Sequence, residues 1–101
     1  MKSYLEKFGN DLRNARTRRR IQQIAMAKAL GVSLPTLRKA EKGDPTVAFG
    51  VYAAYLTQLG FVERLADLAD ARHDKVGLSL ENERLPKRIG RKKLASGDDA
   101  A

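Results

Sequence analysis

The stretch QQIAMAKALGVSLPTLRKAEKG, residues 22–43, carries the strongest structural signal in the chain. Its apolar residues recur at helical spacing between Gln23 and Leu30, which predicts a helix of about two turns. Gly31 follows at the position where a left-handed residue commonly ends a helix. Ser33 then suits an N-cap, because its hydroxyl accepts a hydrogen bond from an amide that lacks a partner within the helix. We therefore expect two short helices separated by a tight turn.

Pro35 falls in the first turn of the second short helix. Its missing N–H removes no hydrogen bond there, because the amides of the first turn have no partner within the helix. Leu37 and Ala40 fall on the face toward the core, and Gly43 marks the end of the helix. The pattern thus predicts that Pro35 begins a helix instead of breaking one.

The sequence on either side predicts three further amphipathic helices. In the first, Leu5, Phe8, Leu12 and Ala15 recur at steps of three and four residues, with polar residues between them. The expected ranges are Ser3 to Arg18 for the first helix, Val47 to Leu59 for the fourth and Phe61 to Ala69 for the fifth, with Gly60 between the last two. Residues 1–71 are therefore expected to form one all-α domain of five helices.

The pattern weakens after residue 71. Val76, Leu78 and Leu80 alternate briefly, which leaves an edge strand, a short helix and a flexible arm open. The chain end from Ser96 has the composition of a disordered segment. We therefore predict a basic C-terminal extension, residues 72–101, that serves as a dimer or partner contact or as a flexible arm.

The chain of 101 residues is strongly basic, with 20 Lys and Arg against 12 Asp and Glu and a formal charge of +8. Such a charge favours polyanionic partners. Nucleic acid is the commonest of these, with anionic lipid and acidic proteins as alternatives.

Several other function classes are disfavoured. The chain has no cysteine and one histidine, so disulfides, thiolate metal sites and histidine clusters are excluded. No glycine-rich phosphate loop or nucleophile-base pattern occurs, and we expect neither an enzyme nor a bound cofactor. The uncharged stretch from Pro45 to Val62 contains polar residues and two glycines, and its large apolar residues fall at helical spacing. This pattern predicts a buried helix followed by a turn, and not a membrane span. Residues 1–8 lack the continuous apolar run of a signal peptide, so we expect a cytoplasmic protein.

The stretch quoted above resembles the helix-turn-helix of the Cro and phage-repressor type, also called XRE-like. The likeness extends over roughly Phe8 to Leu59 and implies a lambda-repressor-like fold. It rests on the helix lengths together with several residues at the family's positions: Gln23, Ala27, Gly31, Val32, Ser33, Glu41 and Gly43. In this family the second short helix lies in the DNA major groove. The resemblance therefore implies a prokaryotic protein that binds double-stranded DNA on the nucleoid.

The resemblance also implies a set of DNA-contacting residues. Arg16 and Glu41 fall where relatives pair a first-helix arginine with a recognition-helix glutamate as a structural brace. The amide ends of helices suit phosphate, and a run of arginines adds salt-dependent affinity. The implied base readers are Leu34, Pro35, Thr36, Arg38 and Lys39, and the candidate phosphate contacts are Gln23, Ser33, Lys42, Arg18, Arg19 and Arg20.

The first two reading positions depart from many relatives. Leu34 and Pro35 are apolar where hydrogen-bonding side chains are common, so they suit thymine methyl groups instead. Hydrogen-bonded readout would then rest on Thr36, Arg38 and Lys39.

The leading hypothesis is a sequence-specific repressor that binds a palindromic operator as a homodimer, because one small helix-turn-helix covers only a few base pairs. Residues 43–70 and 74–89 also resemble HipB-type antitoxins, which repress their own operon and bind a HipA-like kinase toxin. One alternative is a stand-alone or phage-type repressor. Another is an interaction module that keeps the fold without reading DNA, using an apolar surface of Leu34, Pro35 and Ile24. The basic run of residues 85–93 is a third candidate for the main functional element.

Overall fold

A computed structural model describes residues 2–84 of the chain. Within this range the chain is all-α, with five α-helices, two 3-10 helices and no strand. The α-helices are α1 (Lys2–Arg18), α2 (Gln23–Leu30), α3 (Leu34–Glu41), α4 (Phe49–Leu59) and α5 (Lys75–Arg84), and the 3-10 helices are Val62–Asp67 and Ala71–His73. A division into two compact units falls between Ala66 and Asp67. The basic run of residues 85–93 and the chain end from Ser96 lie outside the described residues.

The first unit is built around one core to which α1, α2, α3 and α4 all contribute. Helix α1 packs on α3 and α4, and α2 packs on the same two helices. Burial of each large apolar side chain is worth about 1.5–3 kcal/mol relative to exposure, so this core supplies most of the stability of the unit. Its buried members are Leu12, Ala15, Met26, Ala27, Leu37, Ala40, Tyr52, Tyr55, Leu56 and Leu59.

The turn between α2 and α3 has the local structure expected from its sequence. Gly31 is left-handed at φ 70°, and the amide of Val32 donates to the carbonyl of Ala27 over 3.0 Å. The Ser33 hydroxyl accepts from the amide of Thr36 over 3.2 Å, which confirms the predicted cap. Pro35 lies in the first turn of α3, as predicted.

Helices α1 and α3 approach so closely that no side chain fits between them. A Cβ added at Gly9 in α1 would lie 2.6 Å from the carbonyl oxygen of Ala40 and 2.6 Å from the amide nitrogen of Gly43. Gly43 is itself left-handed at φ 72° and faces the backbone of Leu5. This contact places the end of α3 against α1, and it explains why glycine occupies both positions.

The fourth helix begins at Phe49 and not at the predicted Val47. The segment before it forms a separate turn, in which Asp44 Oδ1 accepts from the amide of Thr46 over 2.8 Å. The hydroxyl of Tyr52 donates to the carbonyl of Asp44 over 2.8 Å and attaches this turn to α4. These bonds hold the backbone before Phe49 in a non-helical conformation.

The prediction of a fifth α-helix from Phe61 to Ala69 was wrong in type. The segment forms the 3-10 helix Val62–Asp67. Phe61 and Leu65 pack against the core, whereas Val62 and Leu68 are exposed, so little apolar burial favours a longer α-helix here.

The open choice for the segment after residue 71 is resolved in favour of a helix over Lys75–Arg84. Asp74 precedes it, and its Oδ1 accepts from the amide of Gly77 over 2.9 Å. This is the bond pattern of an N-cap, so the local signal for a helix outweighed the alternation of Val76, Leu78 and Leu80.

Candidate nucleic-acid interface

A buried ion pair joins α1 to α3 beneath the candidate reading helix. Arg16 Nε donates to Glu41 Oε2 over 2.7 Å and Arg16 Nη2 donates to Glu41 Oε1 over 3.2 Å. The two side chains are only 7% and 3% exposed. Arg16 Nη1 also donates to the carbonyl of Ile21 over 2.7 Å. The predicted brace is therefore present, and its fork-to-fork geometry fixes both groups.

Two further donors complete the surroundings of the Glu41 carboxylate. The hydroxyl of Tyr55 donates to Glu41 Oε2 over 2.5 Å, and Gln23 Nε2 donates to Glu41 Oε1 over 3.0 Å. Burial by itself raises the pKa of Glu41, but the hydrogen bonds from Arg16, Tyr55 and Gln23 outweigh it and lower this pKa below its ordinary value. Burial and the bond to Glu41 raise the pKa of Tyr55. The carboxylate is therefore ionised and fully bonded at neutral pH.

Gln23 connects this buried network to the surface. Its Oε1 accepts from Arg38 Nε over 3.3 Å, while its Nε2 is bonded to Glu41. Arg38 is exposed on α3. A chain of side chains thus runs from the core to one of the candidate base readers.

The five candidate base readers on α3 are not equally accessible. Pro35, Arg38 and Lys39 are exposed, and Lys39 makes no side-chain hydrogen bond within the described residues. Leu34 is half-buried and packs against the core. Thr36 is half-buried as well, and its hydroxyl accepts from Ser33 Oγ over 3.0 Å. The exposed cations of α3 are therefore the groups best placed to meet a ligand.

The groups at the helix ends that were proposed as phosphate contacts also differ in how available they are to a ligand. The Ser33 hydroxyl accepts from the Thr36 amide and donates its single proton to the Thr36 hydroxyl, so that proton is not free for a phosphate. Gln22 precedes α2 and gives it no side-chain cap, so the first amides of that helix have no partner from the cap residue. The side chain of Lys42 is exposed beyond the last turn of α3.

The run of three arginines after α1 does not act as one group. Arg19 Nη1 donates to the carbonyl of Ala15 over 2.9 Å, and Nη2 donates to the carbonyl of Leu59 over 3.2 Å. Its guanidinium also lies 5.1 Å from the ring centre of Phe61. Arg19 therefore joins the ends of α1 and α4. Arg18 and Arg20 are exposed and make no side-chain hydrogen bond in the described part of the chain.

The Arg16–Glu41 pair was expected from the family resemblance, but the other partners of Glu41 were not predicted. Tyr55 lies 14 residues from Glu41 and Gln23 lies 18 residues away, so no local pattern links them. The role of Arg19 was missed for the same reason, because Leu59 is 40 residues distant. Arg20 has a left-handed φ of 56°. This conformation could not be predicted from the residue types, because the segment of three arginines contains no glycine or asparagine.

Residues 2–84 contain no helix long and apolar enough to cross a membrane, and no group of three His, Asp or Glu that would hold a metal ion. No protein-family model matches the chain, and comparisons with the curated proteins and with the solved structures gave no match.

Proposed function

We propose that this protein is a sequence-specific DNA-binding repressor whose α2 and α3 form a lambda-repressor-like helix-turn-helix. In this proposal α3 lies in the major groove, the protein acts in the prokaryotic cytoplasm on the nucleoid, and it has no catalytic role. One observation supports the proposal most. Arg38 and Lys39 are exposed on the short helix α3, and the buried Arg16–Glu41 ion pair attaches this helix to α1.

The distribution of charge supports the same proposal. Residues 1–66 contain twelve Lys and Arg against five Asp and Glu, whereas residues 67–84 contain three against five. Residues 85–101 add five Lys and Arg against two Asp, so most of the excess of cations, +7 of the formal +8, lies in the unit that contains α3. A basic surface of this kind supplies the salt-dependent, sequence-independent part of DNA affinity.

The proposed division of labour follows from the exposures. Arg38 and Lys39 donate hydrogen bonds to base edges, and the shorter side chain of Thr36 makes a further polar base contact. Pro35 and the exposed edge of Leu34 contact thymine methyl groups. Arg18, Arg20 and Lys42, together with the backbone amides at Gln23 and Ser33, contact phosphates. Arg19 is the weakest of the proposed phosphate contacts, since its guanidinium is already bonded to two carbonyls.

The proposal is tested by selecting bound sequences from a random DNA pool and then measuring binding to the selected sequence. We expect Arg38→Ala with Lys39→Ala to lower that affinity at least a hundredfold, since each good base contact contributes about 1–3 kcal/mol of discrimination. The matched control is Arg13→Ala with Lys28→Ala, which removes the same charge from exposed positions on α1 and α2. Equal losses in the two double variants, or no selected sequence, would contradict the proposal.

We further propose that the protein binds a palindromic operator as a homodimer. A single helix-turn-helix covers too few base pairs for high specificity, and a two-fold dimer reads two half-sites about one helical turn apart. The selected sequences are then expected to contain two inverted half-sites. Sedimentation of the complex should give two chains per DNA duplex; a single half-site with one chain would exclude the dimer.

The antitoxin function is a proposal about the second unit. Leu68 and Val76 are 70% and 72% exposed, and no side chain from Asp67 to Glu83 is buried. Such a segment is suited to a protein partner, and the resemblance to HipB-type antitoxins names that partner as a HipA-like kinase. Val76→Ser with Leu80→Ser should then abolish co-purification with a kinase encoded beside this gene while DNA binding is retained. Absence of such a kinase favours a stand-alone or phage-type repressor.

An interaction module that does not read DNA is the second candidate, because Ile24 on α2 is 58% exposed. Salt dependence separates the two functions. A repressor loses affinity steeply between low and moderate salt and keeps a preferred sequence, whereas an interaction module shows a shallow response without a preference.

A further inference from the structure

The side-chain amide of Gln23 is bonded at both of its ends. Nε2 donates to the buried carboxylate of Glu41 over 3.0 Å, and Oε1 accepts from Arg38 Nε over 3.3 Å. Gln23 thus links a group inside the core to a group that faces solvent. Resting on the DNA-binding function proposed above, we propose that the Gln23 side chain is a positioning residue that orients Arg38 for base reading, and that only its backbone amide is left for phosphate.

The direction of the Gln23 amide is imposed by Glu41. An ionised carboxylate only accepts hydrogen bonds, so the NH2 end of the amide must face it and the oxygen must face away. Glu41 itself is held by Arg16 and Tyr55, which leaves its carboxylate one orientation. The oxygen of Gln23 is therefore presented at a fixed place on the surface. The only bond it makes within the described residues is to Arg38.

This arrangement changes what Arg38 can do. The bond uses Nε and leaves the donors on Nη1 and Nη2 without a partner in the described part of the chain. A guanidinium with two parallel free donors matches the O6 and N7 acceptors of guanine. Since the side chain is already oriented, less rotamer freedom is lost when it binds a base. Lys39 makes no such side-chain hydrogen bond, so the geometry assigns the positioned reader to Arg38 and not to its neighbour.

A positioning role and a phosphate contact predict different losses. Phosphate contacts carry no sequence information, so their removal weakens binding to all sequences alike. Loss of a positioning residue weakens binding to the preferred sequence and leaves binding to unrelated DNA unchanged. It also has no further effect once the residue it positions has been removed.

The experiment uses Gln23→Met, which keeps the length of the side chain but neither donates nor accepts a strong hydrogen bond. Gln22→Met is the matched control, because Gln22 is the adjacent residue, is exposed and makes no side-chain cap bond. Affinity is measured for the selected operator, for variants changed at each base pair and for unrelated DNA. We expect Gln23→Met to weaken operator binding about tenfold and to flatten the preference at the base pair that Arg38→Ala flattens. Gln22→Met should bind the operator as tightly as the unaltered chain does. The double variant Gln23→Met with Arg38→Ala should bind no more weakly than Arg38→Ala alone.

A measurement on the free protein keeps this test independent of DNA. The NMR signal of Arg38 Nε–H should be protected from exchange and its guanidinium ordered, and Gln23→Met should abolish both while Gln22→Met retains them. An Arg38 signal as mobile as that of Arg18 in the unaltered chain would overturn the positioning role, even with selective DNA binding intact. A uniform loss of affinity across all sequences would also overturn it. A chain that selects no sequence, yet has an ordered Arg38, would instead overturn the proposed function and with it the base-reading purpose of the bond.

Discussion

Glu41 is the residue at which four helices meet. It belongs to α3, and its carboxylate accepts hydrogen bonds from Arg16 of α1, Gln23 of α2 and Tyr55 of α4. A buried ion pair is often no more stabilising than well-packed apolar residues would be. Removing one of its two members is nevertheless strongly destabilising, because the other charge is then buried without a partner. The network therefore fixes the relative positions of the helices more than it adds to stability.

Replacing Glu41 by Gln should destabilise the protein by about 3 kcal/mol, because the buried guanidinium of Arg16 then lacks its counter-charge. The comparison is Glu63→Gln, which removes an exposed carboxylate and should change the stability by less than about 0.5 kcal/mol. Chemical denaturation of the full chain gives both values. A loss below about 1 kcal/mol at Glu41 would show that the core relaxes around the unpaired arginine.

The same residue predicts a pH dependence. The pKa of Glu41 is lower in the folded protein than its ordinary value of 4.5, because the three hydrogen bonds favour the ionised form over the opposing effect of burial. Unfolded chains therefore bind this proton more readily than folded ones. The stabilisation is complete well above pH 4.5 and is lost as the pH falls below it toward the folded pKa. Denaturation between pH 7 and pH 3 should show this loss, and Glu41→Gln should show a smaller one. Parallel curves for the two proteins would assign the acid sensitivity to other carboxylates, such as Asp44.

Glycine controls the distance between two elements, α1 and α3. A Cβ added at Gly9 would lie only 2.6 Å from backbone atoms of Ala40 and Gly43. Backbone atoms cannot swing away as a flexible side chain does. The separation of these helices, and with it the placement of α3, is therefore set at this contact.

Gly9→Ala should destabilise the protein by at least about 2 kcal/mol, because the helices must separate to admit the methyl group. Gly50→Ala in α4 is the matched control, since a Cβ there meets nothing within 4 Å. It should raise the stability by about 0.5 kcal/mol through the better helix propensity of alanine. Thermal unfolding of both variants measures the contrast, and equal effects at the two glycines would refute the close-packing argument.

The molecule as a whole consists of a unit with a buried core and a segment without one. Each of α1 to α4 contributes buried side chains, whereas no side chain from Asp67 to Glu83 is buried. Helix α5 has ten residues, and isolated helices of that length are marginal in water. Within the described residues, helix α5 is therefore stabilised mainly by local hydrogen bonds, such as the one from the Gly77 amide to Asp74.

Hydrogen exchange should show this difference directly. Amides in the core helices, for example at Leu12 and Leu37, are expected to exchange only through global unfolding, and amides of α5 should exchange at least a hundredfold faster. Binding of a protein partner to the second unit should slow exchange in α5 and leave the core amides unchanged. Equal protection of α5 and α1 in the free chain would mean that α5 is covered by contacts beyond those described.

Local chemistry allowed much of the fold to be predicted from the sequence. The ranges of α1, α2 and α3, the left-handed Gly31, the Ser33 cap and the place of Pro35 all depend on neighbouring residues, and all were confirmed. The 3-10 helix Val62–Asp67 was predicted as an α-helix, and α5 was one of three alternatives left open. The type of the first segment depended on how many of its apolar side chains reach the core, and the second was decided by one aspartate cap.

The sequence by itself determined that the chain is basic, that four amphipathic helices occur before Gly60 and that Pro35 begins α3 behind a serine cap. Only the tertiary structure decided which of the candidate residues are available to a ligand. It bonded Arg19 to two helix ends, packed Leu34 against the core, and connected Gln23 to both Glu41 and Arg38. The physical reason is the range of the interactions: caps and helical periodicity act over a few residues, whereas these bonds join groups 15 to 40 residues apart, which meet only when the helices pack.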